Sequence, residues 1–213
     1  MSRVRVHNLS VSLDGYATGE NQTMDSPFGH AGMRLLEWFQ ATESYARMNG
    51  STGGAAGIDS ALAGQWGVGI GAEIMGRNKF GPQRGPWEDL EWEGWWGDDP
   101  VFHTPVFVLT HYPRPSILKN GGTTFHFLDV PPKDALRQAT EAAGGLDVRI
   151  GGGPSVVREF LRADLVDHLH VAIVPIVLGR GVRLWDGLEG LEDRFEVQSV
   201  SSPSGVTHLI FDR

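Results

Sequence analysis

Cysteine is missing from all 213 residues, which excludes a disulfide framework, a thiolate zinc site and a cysteine nucleophile. Positive charge is in short supply: 18 Lys and Arg face 26 Asp and Glu, a formal charge of −8. A phosphate-backbone partner such as DNA needs a basic surface, so nucleic acid is not expected, whereas a small anionic ligand is compatible with this balance. No run is apolar enough to cross a bilayer, and the alternating start Met1, Ser2, Arg3, Val4, Arg5, Val6 lacks the apolar core of a signal peptide. A cytoplasmic protein without a membrane partner is expected. Neither an internal repeat nor a linker is visible, and the length fits one domain over 1–213.

What is present is an alternation of strand and helix patterns. Val4, Val6, Leu9, Val11 and Leu13 predict a first strand, central in the sheet, with a slip between Val6 and Leu9 and an end at Asp14 and Gly15. Met33, Leu35, Leu36, Trp38, Phe39, Thr42 and Tyr45 fall at the spacing of one helix packed on the sheet. Residues 49–57 are a loop by composition, either a mobile lid or an inert insertion. A short helix over 58–63 and a buried strand over 72–77 come next. Residues 81–100 carry Trp87, Trp92, Trp95 and Trp96, which either form a stacking platform or, the commoner arrangement, anchor an irregular loop. Strands over 105–110, 123–128, 148–150 and 168–178, helices over 132–143 and after 154, and a hairpin over 193–200 and 207–211 complete the chain. That order predicts an α/β fold, a mainly parallel central sheet with helices on both faces and a C-terminal antiparallel hairpin.

The most informative stretch is 148–165, where Gly151, Gly152 and Gly153 follow a strand and Pro154 opens a helix. Three glycines remove every Cβ from a turn, and the free N–H groups at the helix start form a seat for a phosphate; the bland alternative is a tight connection that binds nothing. Gly76, Arg77 and Lys79 place two cations beside bare backbone, and Thr110 and His111 end the next strand, where ligands of open α/β sheets gather. Arg180 and Arg183, in a glycine loop after the 168–178 run, read equally as phosphate ligands or surface cations. Asp14 is a candidate for relaying a proton, although Asp-Gly is also ordinary turn chemistry. Gly67, Gly69 and Ala72 fail as a dinucleotide fingerprint because no hydrophobic strand precedes them and no long helix comes after. His168 and His170 share a strand face, but no third ligand is indicated, so no metal is expected.

Together these segments resemble a known family: the reductase domain at the C-terminus of the riboflavin-biosynthesis deaminase-reductase, with its stand-alone relatives of dihydrofolate-reductase fold. The matching pieces are residues 11–16 (Val-Ser-Leu-Asp-Gly-Tyr), 75–77 (Met-Gly-Arg), 108–110 (Val-Leu-Thr), 150–153 (Ile-Gly-Gly-Gly) and 174–181 (Val-Pro-Ile-Val-Leu-Gly-Arg-Gly). The resemblance implies NADPH across the C-terminal edge of the sheet. Gly76, Arg77, Thr110 and His111 would lie toward the adenosine 2′-phosphate, and Gly151, Gly152, Gly153, Ser155 and Val156 toward the pyrophosphate. It implies a small-molecule substrate, with Asp14 as the catalytic candidate and Trp38, Arg180 and Arg183 in the substrate pocket. The deaminase half is ruled out, since its zinc pattern needs cysteine. Residues 19–66 and 85–103 look like insertions where specificity would be set. A riboflavin precursor, a pterin and another conjugated ring are all open as substrates, dihydrofolate less so, because the acidic residue of dihydrofolate reductases has only Glu37 and Glu43 as counterparts. Rival readings are a nucleotide- or flavin-binding module that has lost turnover and a metal hydrolase built on His168 and His170. A homodimer is expected from an exposed sheet edge and the apolar run at 171–178.

Overall fold

The computed structural model describes residues 2–213. The chain opens with β1 (Val4–Ser12) and a short β2 (Tyr16–Thr18), followed by α1 (Glu37–Gln40), α2 (Glu43–Met48) and α3 (Ile58–Ala63). Next come β3 (Ile70–Gly76), α4 (Arg77–Phe80), β4 (Pro105–Leu109), β5 (Ile117–Leu118), β6 (Thr124–Leu128), α5 (Pro132–Ala142), β7 (Asp147–Gly152) and α6 (Pro154–Arg162). The last elements are β8 (His168–Val174), β9 (Val182–Arg183), β10 (Glu196–Ser201) and β11 (Thr207–Asp212).

Nine strands form one sheet in the order β10-β11-β8-β1-β7-β3-β4-β6-β5, and β2 pairs with β9 apart from it. The interior pairings from β8 to β6 are parallel, while β11 runs antiparallel to β8 and pairs with β10 as the expected hairpin. β1 is central, and its register slips between Val6 and Leu9, where Asn8 takes φ +57. Every residue of β3 is buried, as a strand covered on both faces must be.

The two faces have different chemistry because side chains alternate along each strand. One face is apolar: Ala72 and Ile74 of β3, Val148 and Ile150 of β7 and Leu169 and Val171 of β8 pack against α5 and α6. The opposite face holds apolar groups at its two ends. Ala172 and Val174 meet Trp38 and Ala63, and Met75, Val106 and Val108 meet Phe80 and Phe102. Between these groups the same face buries charge. Glu73 of β3 is fully buried and pairs across the ladder with Arg149 of β7, which is 2% exposed; Arg149 Nη2 donates to Glu73 Oε2, and the guanidinium lies 3.5 Å from the centroid of the Trp66 ring.

The helix expected through residues 33–45 is broken. Thr42 is extended at φ −89 and ψ 152 and its hydroxyl accepts from Tyr45 N at 3.1 Å, so a residue read as part of one apolar face caps the start of α2. The 49–57 loop is tied back to that break: Glu43 N donates to Ala55 O at 3.1 Å and Ala55 N to Ala41 O at 2.7 Å. Gly54 makes the approach possible at φ +85, since a Cβ there would overlap the Thr42 backbone. The 168–178 run ends as a strand at Val174, before Pro175, and β5, β2 and β9 are too short to leave a periodic signal.

Removing one partner of a buried ion pair leaves an unpaired charge, at a cost of about 3–5 kcal/mol. Glu73→Ala should lower unfolding stability by that order in a urea titration, and Glu73→Leu combined with Arg149→Leu should recover most of the loss.

Candidate functional site

The parallel strands β3, β4, β6 and β7 end on one rim of the sheet, and Gly76, Thr110, Asp129 and Gly152, at or just past those ends, line a cleft of about 990 Å³. Ligand pockets span roughly 300–1,000 Å³, so this cleft stands at the upper end of the range.

Its middle is bare backbone. β7 leaves the sheet through Gly151, Gly152 and Gly153, with Gly152 at φ +107, and α6 begins at once with Pro154 in its first turn. A Cβ at Gly151 would overlap Glu73 Oε1, and one at Gly76 would lie 2.8 Å from Val156 Cγ2, so both positions admit only glycine without a shift. No side chain caps the helix, and its first internal bond is Val157 N to Gly153 O at 3.2 Å. Ser155 and Val156, on the cleft wall, thus keep free N–H groups at the positive end of the helix dipole. That corner is open.

One end of the cleft is cationic. Arg77 is buried, its guanidinium 3.8 Å from the Trp87 ring centroid and one Nη donating to Gly85 O. Its Nε and other Nη have no partner, and it makes no ion pair among the described residues. Burial first, and then the nearby charges of Arg84 and Arg114, push it below the usual arginine range. Thr110 Oγ1 accepts from Tyr112 N at 3.1 Å, and the exposed His111 ring has Nδ1 2.9 Å from Asp129 Oδ1.

Aromatic rings line the cleft as well, Phe28, Phe39, Trp66, Trp95 and Trp96, and Lys79 is among its lining residues. The Trp-rich loop is anchored from behind: Trp87 Nε1 donates to Tyr112 O at 2.6 Å and Trp92 Nε1 to Phe80 O at 3.1 Å. Trp95 and Trp96 of that loop, and Phe28, Phe39 and Trp66 of the 19–66 stretch, line the cleft, while 49–57 does not. Lys79 Nζ lies 2.9 Å from Glu73 Oε1, and burial pushes it down to about 7.

All nine residues singled out for a cofactor line this cleft: Gly76, Arg77, Thr110, His111, Gly151, Gly152, Gly153, Ser155 and Val156. Four others do not reach it. The Asp14 carboxylate accepts from Ser12 Oγ at 2.6 Å, Leu178 N at 3.1 Å and Gly179 N at 2.6 Å, so it clamps the loop after β8 instead of meeting a ligand. Trp38 is core, its Nε1 donating to Ser10 Oγ at 2.9 Å. Arg180 is exposed, 3.6 Å from Glu20, and Arg183 stacks over Tyr16 at 4.6 Å; Gly181 and Val182 between them line the cleft in their place. Glu37 and Glu43 are exposed and outside it.

His168 and His170 are each committed elsewhere. His168 Nδ1 lies 2.8 Å from Asp212 Oδ1, and His170 Nε2 lies 2.9 Å from His208 Nδ1, whose far nitrogen is 2.8 Å from Asp59 Oδ1. Burial, followed by the charges of His208 and His168, holds His170 at about 3, and no metal-holding group exists among the described residues. Sequence reading missed Glu73 and Arg149; the available signal was a carboxylate inside the otherwise apolar strand at 70–76.

The Ser12 hydroxyl and the two loop amides hold Asp14 at about 2, below the ordinary 3.8. A carboxylate depressed on folding stabilises above its unfolded value and loses that contribution as pH falls through the folded one. Thermal unfolding of the wild type should therefore weaken between about pH 4 and 2 more steeply than that of Asp14→Asn, and identical slopes would remove Asp14 as the clamp.

Known proteins share this fold. The RibD C-terminal domain family matches residues 5–209. A Shewanella sp. PV-4 protein assigned to riboflavin biosynthesis superposes with a TM-score of 0.61 at 20% identity, over 100% of this chain and 99% of that one. The diaminohydroxyphosphoribosylaminopyrimidine deaminase/5-amino-6-(5-phosphoribosylamino)uracil reductase of Thermotoga maritima gives 0.53 at 14% identity, over 99% of this chain and 56% of that one. Dihydrofolate reductase from Enterococcus faecalis, complexed with NADP(H), gives 0.50 at 13% identity, over 99% and 96%. These likenesses show the fold; no curated protein sequence matches. The family match runs through nearly the whole length, and the chain belongs to the RibD C-terminal domain family, folded as dihydrofolate reductase is.

Proposed function

We propose that this chain is an NADPH-dependent reductase of a small heterocyclic or ribosylated substrate, of the kind that riboflavin biosynthesis reduces. The observation that carries the reading is the buried Arg77 guanidinium, without a counter-ion among the described residues and with two idle nitrogens, on the same cleft as an uncapped helix start and a turn of three glycines. An anion with two separated negative centres fits that arrangement, and a 2′-phosphorylated dinucleotide is one. Family membership and the names of the Thermotoga and Enterococcus proteins support it.

In this reading the N–H groups of Ser155 and Val156, with the Gly152 and Gly153 backbone, hold the diphosphate, and Arg77, flanked by Thr110 and His111, holds the 2′-phosphate. NADPH when bound supplies a hydride, which is the difficult chemistry. The chain's own side chains orient the two molecules and exclude water: Phe39, Trp66, Trp95 and Trp96 offer flat apolar faces to a ring-bearing substrate. The proposal includes a homodimer paired along β10, an edge strand of six residues exposed at five. Sedimentation at micromolar concentration should then give twice the chain mass.

Hydrogen bonds to a charged group contribute about 1.5–3 kcal/mol, or roughly 10- to 100-fold in affinity. Arg77→Ala should weaken NADPH by that factor in a fluorescence titration and leave NADH within about twofold. Equal losses would take Arg77 out of the role, and NADPH binding with no oxidation by any pterin, flavin precursor or related ring acceptor would mark a binding module.

A further inference from the structure

On the cleft floor two cations share one carboxylate. Glu73 is fully buried; Arg149 donates to its Oε2 and Lys79 Nζ lies 2.9 Å from its Oε1. Among the described residues Glu73 is the only carboxylate within 4.0 Å of Lys79 or of Arg149. From β1, Arg5 adds further positive charge toward Arg149, and the neighbouring His7 is held neutral at about 2 by burial and by Arg5. A guanidinium does not give up its proton in proteins, so Arg149 and Glu73 make the neutral pair and Lys79 is the surplus cation. Burial penalises that surplus charge and favours the neutral amine.

Geometry gives the proton one outlet. Arg149 is 2% exposed in its side chain and Glu73 0%, whereas Lys79 is 25% exposed and lines the cleft. A Cβ at Gly151 would lie 2.6 Å from Lys79 Nζ, so the ammonium ends against the glycine turn, in a cleft that Trp66, Trp95 and Trp96 also line.

We propose that Lys79 is the proton donor of the reduction, delivering a proton from Nζ to the nitrogen or oxygen of a substrate C=N or C=O bond whose carbon takes the hydride. This rests on the reductase reading of the cleft. The hydride brings two electrons and one proton to carbon; the π pair of the substrate bond moves onto its heteroatom and takes the proton. The N–H bond of Lys79 breaks with its electron pair left on Nζ, and the neutral amine is reprotonated from solvent at its exposed edge. The cofactor leaves oxidised and the substrate leaves saturated at that bond.

The chain has only three lysines, Lys79, Lys119 and Lys133, which makes a direct titration practical. Reductive methylation with carbon-13 formaldehyde labels each amine, and Lys79→Arg assigns the Lys79 resonance by its loss. In the wild-type protein that resonance should titrate with a midpoint about 7, against about 10.4 for an ordinary lysine. Saturating NADPH should move the midpoint by less than about one pH unit, and Lys79→Met should bind NADPH within about threefold of wild type. A midpoint above about 9 overturns the proposal while leaving NADPH binding, and the reductase reading, intact. A rise of more than about one unit with NADPH, or a loss of about tenfold or more in Lys79→Met, overturns it by making Lys79 a phosphate ligand. Failure of the wild type to bind NADPH overturns the reductase reading itself.

Discussion

A carboxylate with no access to water must be neutralised where it stands, and Glu73 sits at the centre of the sheet under that requirement. Arg149 answers it from β7, the neighbouring strand, and Trp66 covers the guanidinium. The interaction ties together the two strands whose ends form the cleft floor, and it constrains the residues farther along β7. Position 151, just past Ile150, faces Glu73 at a distance that excludes a Cβ, so glycine must stand there, and the backbone is thereby exposed where a ligand would approach. The buried ion pair and the bare glycine turn are one piece of construction.

Charge elsewhere is arranged to make that cleft an exception to its surroundings. The molecule carries a net −8, yet Arg77 and Arg114 both lie over the Trp87 ring, and Arg84 and Arg114 are close enough to Arg77 to depress it. A cleft with low-dielectric walls focuses such a field, so a local positive potential persists in an acidic protein. Aromatic rings elsewhere on the cleft wall supply apolar area beside it.

Much of this architecture is readable from residue order. The parallel core, the central first strand with its slip and the closing hairpin all follow from alternation and spacing, because strands buried on both faces leave dense apolar runs. The glycine turn is legible because three residues without Cβ follow one another directly after a strand pattern. Side-chain direction is not legible. Asp14, Arg180 and Arg183 lie in or beside turns, where a one-residue rotation decides whether a side chain enters the cleft or leaves it, and Trp38 sits on a helical stripe whose inner edge is core and whose neighbour, Phe39, is cleft wall. Thr42 breaks a helix that periodicity alone would continue. Glu73 and Arg149 are separated by 76 positions, and only the sheet pairs them.

The clamp at Asp14 has a bearing on how relatives of this chain could diverge. It fixes the 178–179 segment through main-chain amides, which every residue type except proline possesses. Side chains at 180 and 183 take no part in that main-chain clamp; they reach back instead to Glu20 and Tyr16, beside the β2 strand that pairs with β9. The stretch of cleft wall at Gly181 and Val182 is thus positioned by backbone, from a carboxylate that lies outside the cleft.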